Sequence, residues 1–122
     1  MVDLVGTCPK DFWPEWIAEG DPVGAPYSGE EWGWFTQSNA IRRIEPGDRF
    51  YVVSHGLLRG FATVTRVHLS PSGRGGAICR RGDAVAVTID EVIPGFRGLR
   101  ERWWRREDEI PFPNWQSFGV AA

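Results

Sequence analysis

The sequence predicts an α+β domain that is mainly β: a small, partly open antiparallel β-barrel with one or two short helices. Its second half alternates hydrophobic strands with turns containing Gly, Pro and Asp, which is typical of antiparallel sheets. Gly60 interrupts the longest of these strands and indicates a bulge that would curve the sheet toward closure. The chain has 122 residues, including seven Trp and seven Phe, so one domain over residues 1–122 can build its core without a disulfide or metal.

The first third of the chain is expected to hold a strand, a helix and a loop. Asp3–Gly6 is a short apolar strand that ends at its glycine. Asp11–Gly20 favours a short helix, since Asp can cap the start, Pro is tolerated in the first turn and Gly ends the helix. Two Pro and two Gly make Asp21–Gly29 a surface loop. Within Gln37–Ile44 we expect a half-turn or short helix that ends near Arg43.

A hairpin in the middle of the chain gives the clearest local pattern. Glu45–Asp48 is a turn, because Pro sets φ at its second position and Gly allows positive φ at its third. The strands Arg49–Ser54 and Leu57–Leu69 follow. The dipeptide His55-Gly56 joins them as a tight turn, since both residue types tolerate positive φ. Ser70–Gly76, which is rich in Gly and Ser, is expected to be a flexible loop.

The last third of the chain combines a clear pattern with an ambiguous one. Asp83–Ile93 alternates apolar and polar residues, which predicts a half-buried strand with Val85, Val87, Ile89 and Ile93 on one face. Phe96–Trp104 fits either a helix or a strand, and we favour a strand. The tail over residues 110–122 is rich in Trp and Pro, so we expect it to be irregular and packed on the body by its aromatic rings.

Charge, cysteines and hydropathy narrow the class of protein. The net charge is −2, so the surface as a whole does not suit polyanions, although 13 of the 14 basic residues are Arg. Cys8 and Cys79 are expected to be reduced thiols, and the Cys and His spacings do not suit zinc, so we predict no metal and no cofactor. With no signal-peptide pattern and no apolar run of about 20 residues, we predict a cytoplasmic protein without membrane contact.

Residues 44–67 resemble the PUA-like superfamily, which includes the PUA, ASCH and EVE domains. The family pattern is an apolar residue, a turn with Gly-Asp, a hydrophobic strand, and a returning strand that begins small-Gly-aromatic-Ala. The matching parts of this chain are Pro46-Gly47-Asp48, the strand Phe50–Val53, and Arg59-Gly60-Phe61-Ala62 with Thr63-Val64 after it. The resemblance is close over about a fifth of the chain, and the order of elements extends it loosely over residues 2–105. It implies a PUA-like barrel.

The resemblance also implies a function, because members of this superfamily typically bind RNA or, in the EVE branch, modified bases. Carried onto this chain, the family's pocket corresponds to Gly6–Cys8, Trp13–Trp16 and Trp32–Asn39. ASCH amidohydrolases share a G-x-K-x-x-E-x-R motif with a catalytic lysine. That motif is absent and the only lysine is Lys10, so we predict a binding module rather than an enzyme, with RNA or modified DNA as its partner.

The residues themselves also suit base recognition, since aromatic rings lie next to polar side chains that could contact the edge of a flipped base. Another possibility is that the tryptophans of the 32–39 segment fill the barrel and its polar residues cap the next turn. The two tryptophans of the expected helix share one face, either as core or as a wall of the pocket. The candidate pocket residues are Trp13, Trp16, Trp32, Trp34, Phe35, Thr36, Gln37, Ser38 and Asn39.

A run of arginines near the C-terminus could contact backbone phosphates and give salt-dependent binding. The acidic residues Glu101, Glu107, Asp108 and Glu109 lie beside it, so a salt-bridged surface is the alternative. Arg74, Arg80 and Arg81, which we expect on flexible loops, would join this surface only if the barrel brings them there. The candidate phosphate contacts are Arg97, Arg100, Arg102, Arg105 and Arg106.

Two further classes of function remain open. A small hydrolase or base-modifying enzyme would need an activated group, and neither His55 nor His68 has a recognisable partner. Ser54 and His55 are adjacent, so we expect their side chains to face opposite ways. A protein-interaction accessory domain is the other alternative, and an exposed apolar patch at Pro111–Trp115 would favour it.

Overall fold

The computed structural model describes residues 2–8, 32–80 and 84–112 of the chain. Within them the fold is mainly β: a six-stranded sheet curled into a half-barrel, a separate two-stranded sheet, and 3-10 helices over Asn39–Arg43 and Arg106–Asp108. The strands are β1 Leu4–Thr7, β2 Trp32–Thr36, β3 Arg49–Ser54, β4 Leu57–Leu69, β5 Gly76–Arg80, β6 Val87–Thr88, β7 Leu99–Glu101 and β8 Ile110–Pro111. This confirms the mainly β class. The expected helix over 11–20, the loop over 21–29 and most of the tail lie outside the described residues.

The large sheet has the strand order β2-β5-β4-β3-β1-β7, and β6 pairs with β8. One pair departs from the antiparallel expectation, because β1 runs parallel to β3 with Leu4 opposite Phe50. The N-terminal strand therefore lies between β3 and β7 rather than beside the next strand in the sequence. This arrangement brings the two ends of the described chain together, and no local sequence pattern indicates such a long-range pairing.

The β3–β4 hairpin confirms the predicted bounds and turn. His55 and Gly56 have φ angles of 54° and 77°, the left-handed geometry that a two-residue hairpin loop needs. The strand register shifts between Val52 and Val53, opposite Gly60 and Leu58, so the predicted bulge is present. Gly60 lies against the backbone of the segment before β6, where an added Cβ would come within 2.5 Å of the Val85 carbonyl oxygen.

Two predictions for the second half of the chain are wrong in part. Residues 76–80 form β5, whereas the sequence suggested a strand only after residue 82. The long strand expected over Asp83–Ile93 is reduced to β6 and an isolated bridge between Phe61 and Val85. Alternating apolar residues suit a strand, but here an irregular segment buries Ile89 and Ile93 while Val85 is exposed.

The end of the described chain is more regular than expected. Ile110–Pro111, expected to be irregular, forms β8, with Thr88 opposite Ile110. The favoured strand within Phe96–Trp104 is present as β7, which spans Leu99–Glu101.

The strands bury side chains on both faces of the sheet. The first core includes Leu4, Ile41, Phe50, Val52 and Ile78, and the second includes Val5, Tyr51, Val53, Ile93 and Trp104. Neighbouring residues of β1 and β3 therefore enter different cores, which follows from the two-residue period of a strand. No helix in the described ranges has the length and hydrophobicity needed to cross a membrane.

Candidate nucleic-acid interface

Strand β2 places two of the aromatic candidates, Trp34 and Phe35, on opposite faces. Trp34 points into the first core, where its ring meets Phe50 edge to face at 5.0 Å between centroids. Phe35 is on the other face of the strand and is 83% exposed. Trp34 therefore fills the half-barrel, which was the alternative interpretation, and Phe35 faces solvent. The side chain of Trp32, like Trp13 and Trp16, lies outside what the structure describes.

The four polar candidates at the end of β2 and just after it also fall into two groups. The Thr36 hydroxyl accepts a hydrogen bond from the Ser38 N–H at 3.0 Å. The Ser38 hydroxyl in turn accepts one from the Ala40 N–H at 3.2 Å and caps the 3-10 helix. Gln37 and Asn39 are exposed. Two of the four candidate polar residues therefore satisfy the backbone, and two face solvent.

On the outer face of β2, β5 and β4, small residues lie between larger ones. Phe35 is opposite Ala77, which is opposite His68, and the neighbouring row is Gly33, Cys79 and Arg66. Because directly opposed residues of antiparallel strands share a face, these two rows form one surface, which we call the outer strip. The central strand contributes only the small residues Ala77 and Cys79, so the floor of the strip is low and Phe35 stands above it.

A cleft of about 920 Å³ opens where the outer strip meets the β4–β5 loop. Phe35 and Gln37 line one side, and His68, Leu69 and Arg74 line the other. None of the described residues that line it is acidic. The cleft therefore brings together an exposed aromatic ring, an amide and a guanidinium.

The β4–β5 loop, which was predicted to be flexible, contains several internal hydrogen bonds. The Ser70 N–H donates to the Gly75 carbonyl at 2.9 Å, and the Ser70 and Ser72 hydroxyls lie 2.9 Å apart. The Arg42 side chain donates to the Gly73 carbonyl at 2.9 Å, which ties the loop to the 3-10 helix beside β2. These bonds connect the loop that carries Arg74, which lies at the rim of the cleft.

The C-terminal arginines make contacts within the chain. Arg102 and Arg106 pair with Asp3 at 3.0 and 2.8 Å, and Arg105 pairs with Glu107 at 2.9 Å. Arg100 lies over the ring of Phe96, and Arg97 is exposed. The pair of Arg105 with Glu107 agrees with the salt-bridged surface given as the alternative, whereas Arg102 and Arg106 pair with the more distant Asp3. Phosphate contact by these five arginines stays a prediction. Arg80, expected on a loop, is instead buried in β5, and Arg81 is outside the described residues.

A buried polar cluster, which the sequence did not indicate, joins the two ends of the described chain. The Asp3 carboxylate accepts hydrogen bonds from the Arg49 N–H and from both Arg102 and Arg106. Burial raises the pKa of Asp3, but these three hydrogen-bond donors outweigh it, so its pKa lies below its ordinary value. The same hydrogen bond from Arg106 raises the pKa of the Arg106 guanidinium. This cluster is structural, because its carboxylate is enclosed.

Beside the Asp3 cluster, the Glu109 carboxylate accepts hydrogen bonds from two neutral donors and from the cationic side chain of Arg49. The Tyr51 hydroxyl donates to its carboxylate at 2.5 Å and the Trp104 indole N–H donates at 2.9 Å. Burial, followed by the bond to Glu109, raises the pKa of Tyr51 well above its usual range, so this hydroxyl stays protonated. A buried tyrosine held neutral in this way fixes the segment after β7 on the second core.

The structure corrects one expectation about the hairpin turn. The Ser54 hydroxyl and His55 Nδ1 are 2.9 Å apart, although adjacent strand residues should face opposite ways. The positive φ of His55 turns its ring back toward Ser54. Ser54 is fully buried, so this contact stabilises the turn and offers no accessible nucleophile. Cys8 and Cys79 are both buried.

In comparisons with known proteins, no protein-family model, no curated protein and no solved structure matches this chain.

Proposed function

We propose that this chain is a PUA-like module that binds single-stranded nucleic acid, RNA or modified DNA, on the outer strip and its adjoining cleft. One base stacks on Phe35, and Arg74 contacts a neighbouring phosphate. The observation that carries the proposal is Phe35, which is 83% exposed on a strip of small residues with a guanidinium and no acidic side chain along the described cleft. An exposed ring beside a cation is the arrangement that single-strand binders use, because every base has a face that can stack.

The order of strands supports the PUA-like part of the proposal. The turn at 45–48 leads directly into the bulged β3–β4 hairpin, and the sheet curls into a half-barrel. The Asp48 carboxylate accepts a hydrogen bond from the Glu45 N–H at 2.9 Å, so it closes this turn. Asp48 therefore has a structural role, and the proposed binding surface uses other residues of the half-barrel.

Replacing Phe35 with Leu tests the stacking interaction. We expect binding of a labelled single-stranded ten-nucleotide RNA or DNA to weaken by about tenfold, because base–aromatic stacking contributes about 1–3 kcal/mol. Fluorescence anisotropy with unmodified and base-methylated oligonucleotides measures the change and identifies the preferred ligand. The exposed ring supports little of the core, so the melting temperature should stay the same. Wild-type protein that binds none of the oligonucleotides would refute the proposed function.

Replacing Arg74 with Gln tests the phosphate contact. The negative slope of the logarithm of the association constant against the logarithm of salt concentration should become shallower by about one unit, because one phosphate contact and its released counterion are lost. Arg105→Gln is the matched control, since Arg105 is exposed and pairs with Glu107 away from the cleft. If Arg105→Gln reduced the slope and Arg74→Gln did not, the C-terminal arginines rather than the cleft would contact the phosphates.

A further inference from the structure

A second cleft, of about 680 Å³, lies between the segment after β6 and the end of β7. Its lining includes Glu91, Pro94, Arg100, Glu101 and Trp103. None of these residues takes part in the proposed nucleic-acid site, so their arrangement needs its own explanation.

The cleft presents an aromatic ring and a carboxylate side by side. The Trp103 indole N–H points between the two oxygens of Glu91, at 3.2 and 3.3 Å, and so holds the carboxylate at the edge of the ring. Trp103 is 42% exposed, which leaves part of the indole accessible to a ligand. Since the indole is a neutral donor, the negative charge of Glu91 keeps its capacity to attract a cation.

The other charged groups of the cleft already have partners within the chain. Glu101 forms an ion pair with Arg43 at 2.5 Å. Arg100 lies 4.2 Å from the ring centroid of Phe96, and this ring in turn meets Trp103 edge to face at 6.2 Å between centroids. The chain's own arginine thus packs on a ring that contacts Trp103. Within the cleft, Glu91 and Trp103 place a carboxylate beside a second, partly exposed ring.

We infer that this cleft binds an arginine side chain of a partner protein, with the guanidinium on the Trp103 indole and hydrogen-bonded to Glu91. A planar guanidinium can stack flat on a ring and still donate two parallel hydrogen bonds sideways to a carboxylate, whereas an ammonium has neither the flat face nor the paired donors. Val92, which follows Glu91 and is 71% exposed, offers an apolar contact for the residue beside that arginine. This inference is independent of the nucleic-acid proposal.

An NMR titration with a capped tripeptide, arginine between two alanines, tests the inference. The probe signal is the Trp103 indole N–H resonance, assigned with a Trp103→Phe variant. We expect a saturable shift, and at least about tenfold weaker binding when arginine is replaced by citrulline, which has the same shape without the charge. The lysine peptide should also bind more weakly than the arginine peptide. No shift at millimolar arginine peptide, or equal binding of the citrulline or lysine peptide, would overturn the inference.

Two variants locate the site on the protein. Glu91→Gln should weaken binding of the arginine peptide by about tenfold, because it removes the charge and leaves the side-chain shape. Glu107→Gln is the matched control, since Glu107 is an exposed carboxylate outside the cleft. Unchanged binding to Glu91→Gln, or an equal loss in both variants, would rule out this cleft as the site.

Discussion

Replacing Asp3 with Asn is expected to lower the free energy of unfolding by about 3 kcal/mol, since it removes the enclosed carboxylate that two guanidinium groups share. The Asp3 side chain is only 1% exposed, and the guanidinium groups of Arg102 and Arg106 both converge on it. An amide of the same size cannot neutralise two cations, and its NH₂ group would face their donors. Because both arginines are partly exposed, water offsets some of the loss, which places the value at the lower end of the usual range.

Urea denaturation at neutral pH measures this change. The matched control is Glu107→Gln, which also removes a carboxylate paired with an arginine, but in an exposed pair that should contribute less than about 1 kcal/mol. A similar small loss in both variants would contradict a structural role for the enclosed carboxylate.

The stability difference between the wild type and Asp3→Asn is also expected to depend on pH. The pKa of Asp3 is lower in the folded chain than its ordinary value of 3.8, so the folded state binds this proton less readily than the unfolded state. The stabilisation is therefore complete above the ordinary pKa and is lost as pH falls through and below it. The difference in unfolding free energy between the wild type and Asp3→Asn should shrink as pH falls below the ordinary pKa. A difference that stayed constant across that range would mean that Asp3 does not act through its charge.

The sequence predicted best those features that neighbouring residues determine. The β3–β4 hairpin, its turn at His55 and its bulge at Gly60 follow from residue types within a few positions of one another. The parallel β1–β3 pair and the ion pairs of Asp3 join residues about 50 to 100 positions apart, so no local pattern specifies them. Strand β5 was missed because it is short and includes Cys79 and a buried arginine, which obscure the apolar alternation of a strand.

For the candidate site, the sequence identifies the segment 32–39 but not the face of the sheet on which each side chain lies. Trp34 and Phe35 look equally suited to stacking, and only the pairing of β2 with β5 decides that Trp34 enters the core. Likewise Thr36 and Ser38 have the right chemistry for a base edge, yet their hydroxyls cap backbone N–H groups. Arg74 is 39 positions from Phe35, and the β4–β5 loop brings it to the same cleft. A prediction of the site therefore needs the strand register.

Replacing Gly60 with Ala is expected to destabilise the fold by about 3 kcal/mol, through a steric clash added to backbone strain. Gly60 has φ of 152°, and a Cβ there would lie 2.5 Å from the Val85 carbonyl oxygen and 3.3 Å from Ala86 Cα. Both atoms belong to backbone, so no side-chain rotation can relieve the contact. The segment before β6 would have to move away, which breaks the two hydrogen bonds between Phe61 and Val85. Thermal and urea denaturation measure the loss.

The Gly47→Ala variant separates the two causes of this loss. Gly47 also has a positive φ, 95°, but an added Cβ there would meet nothing within 4 Å. Its substitution should therefore cost only the conformational strain of an L-residue, about 1–2 kcal/mol. If both variants lost the same stability, strain alone would explain Gly60. A clearly larger loss at Gly60 means that a glycine is needed at this bulge because it lets the backbone before β6 approach β4 where a side chain would block it.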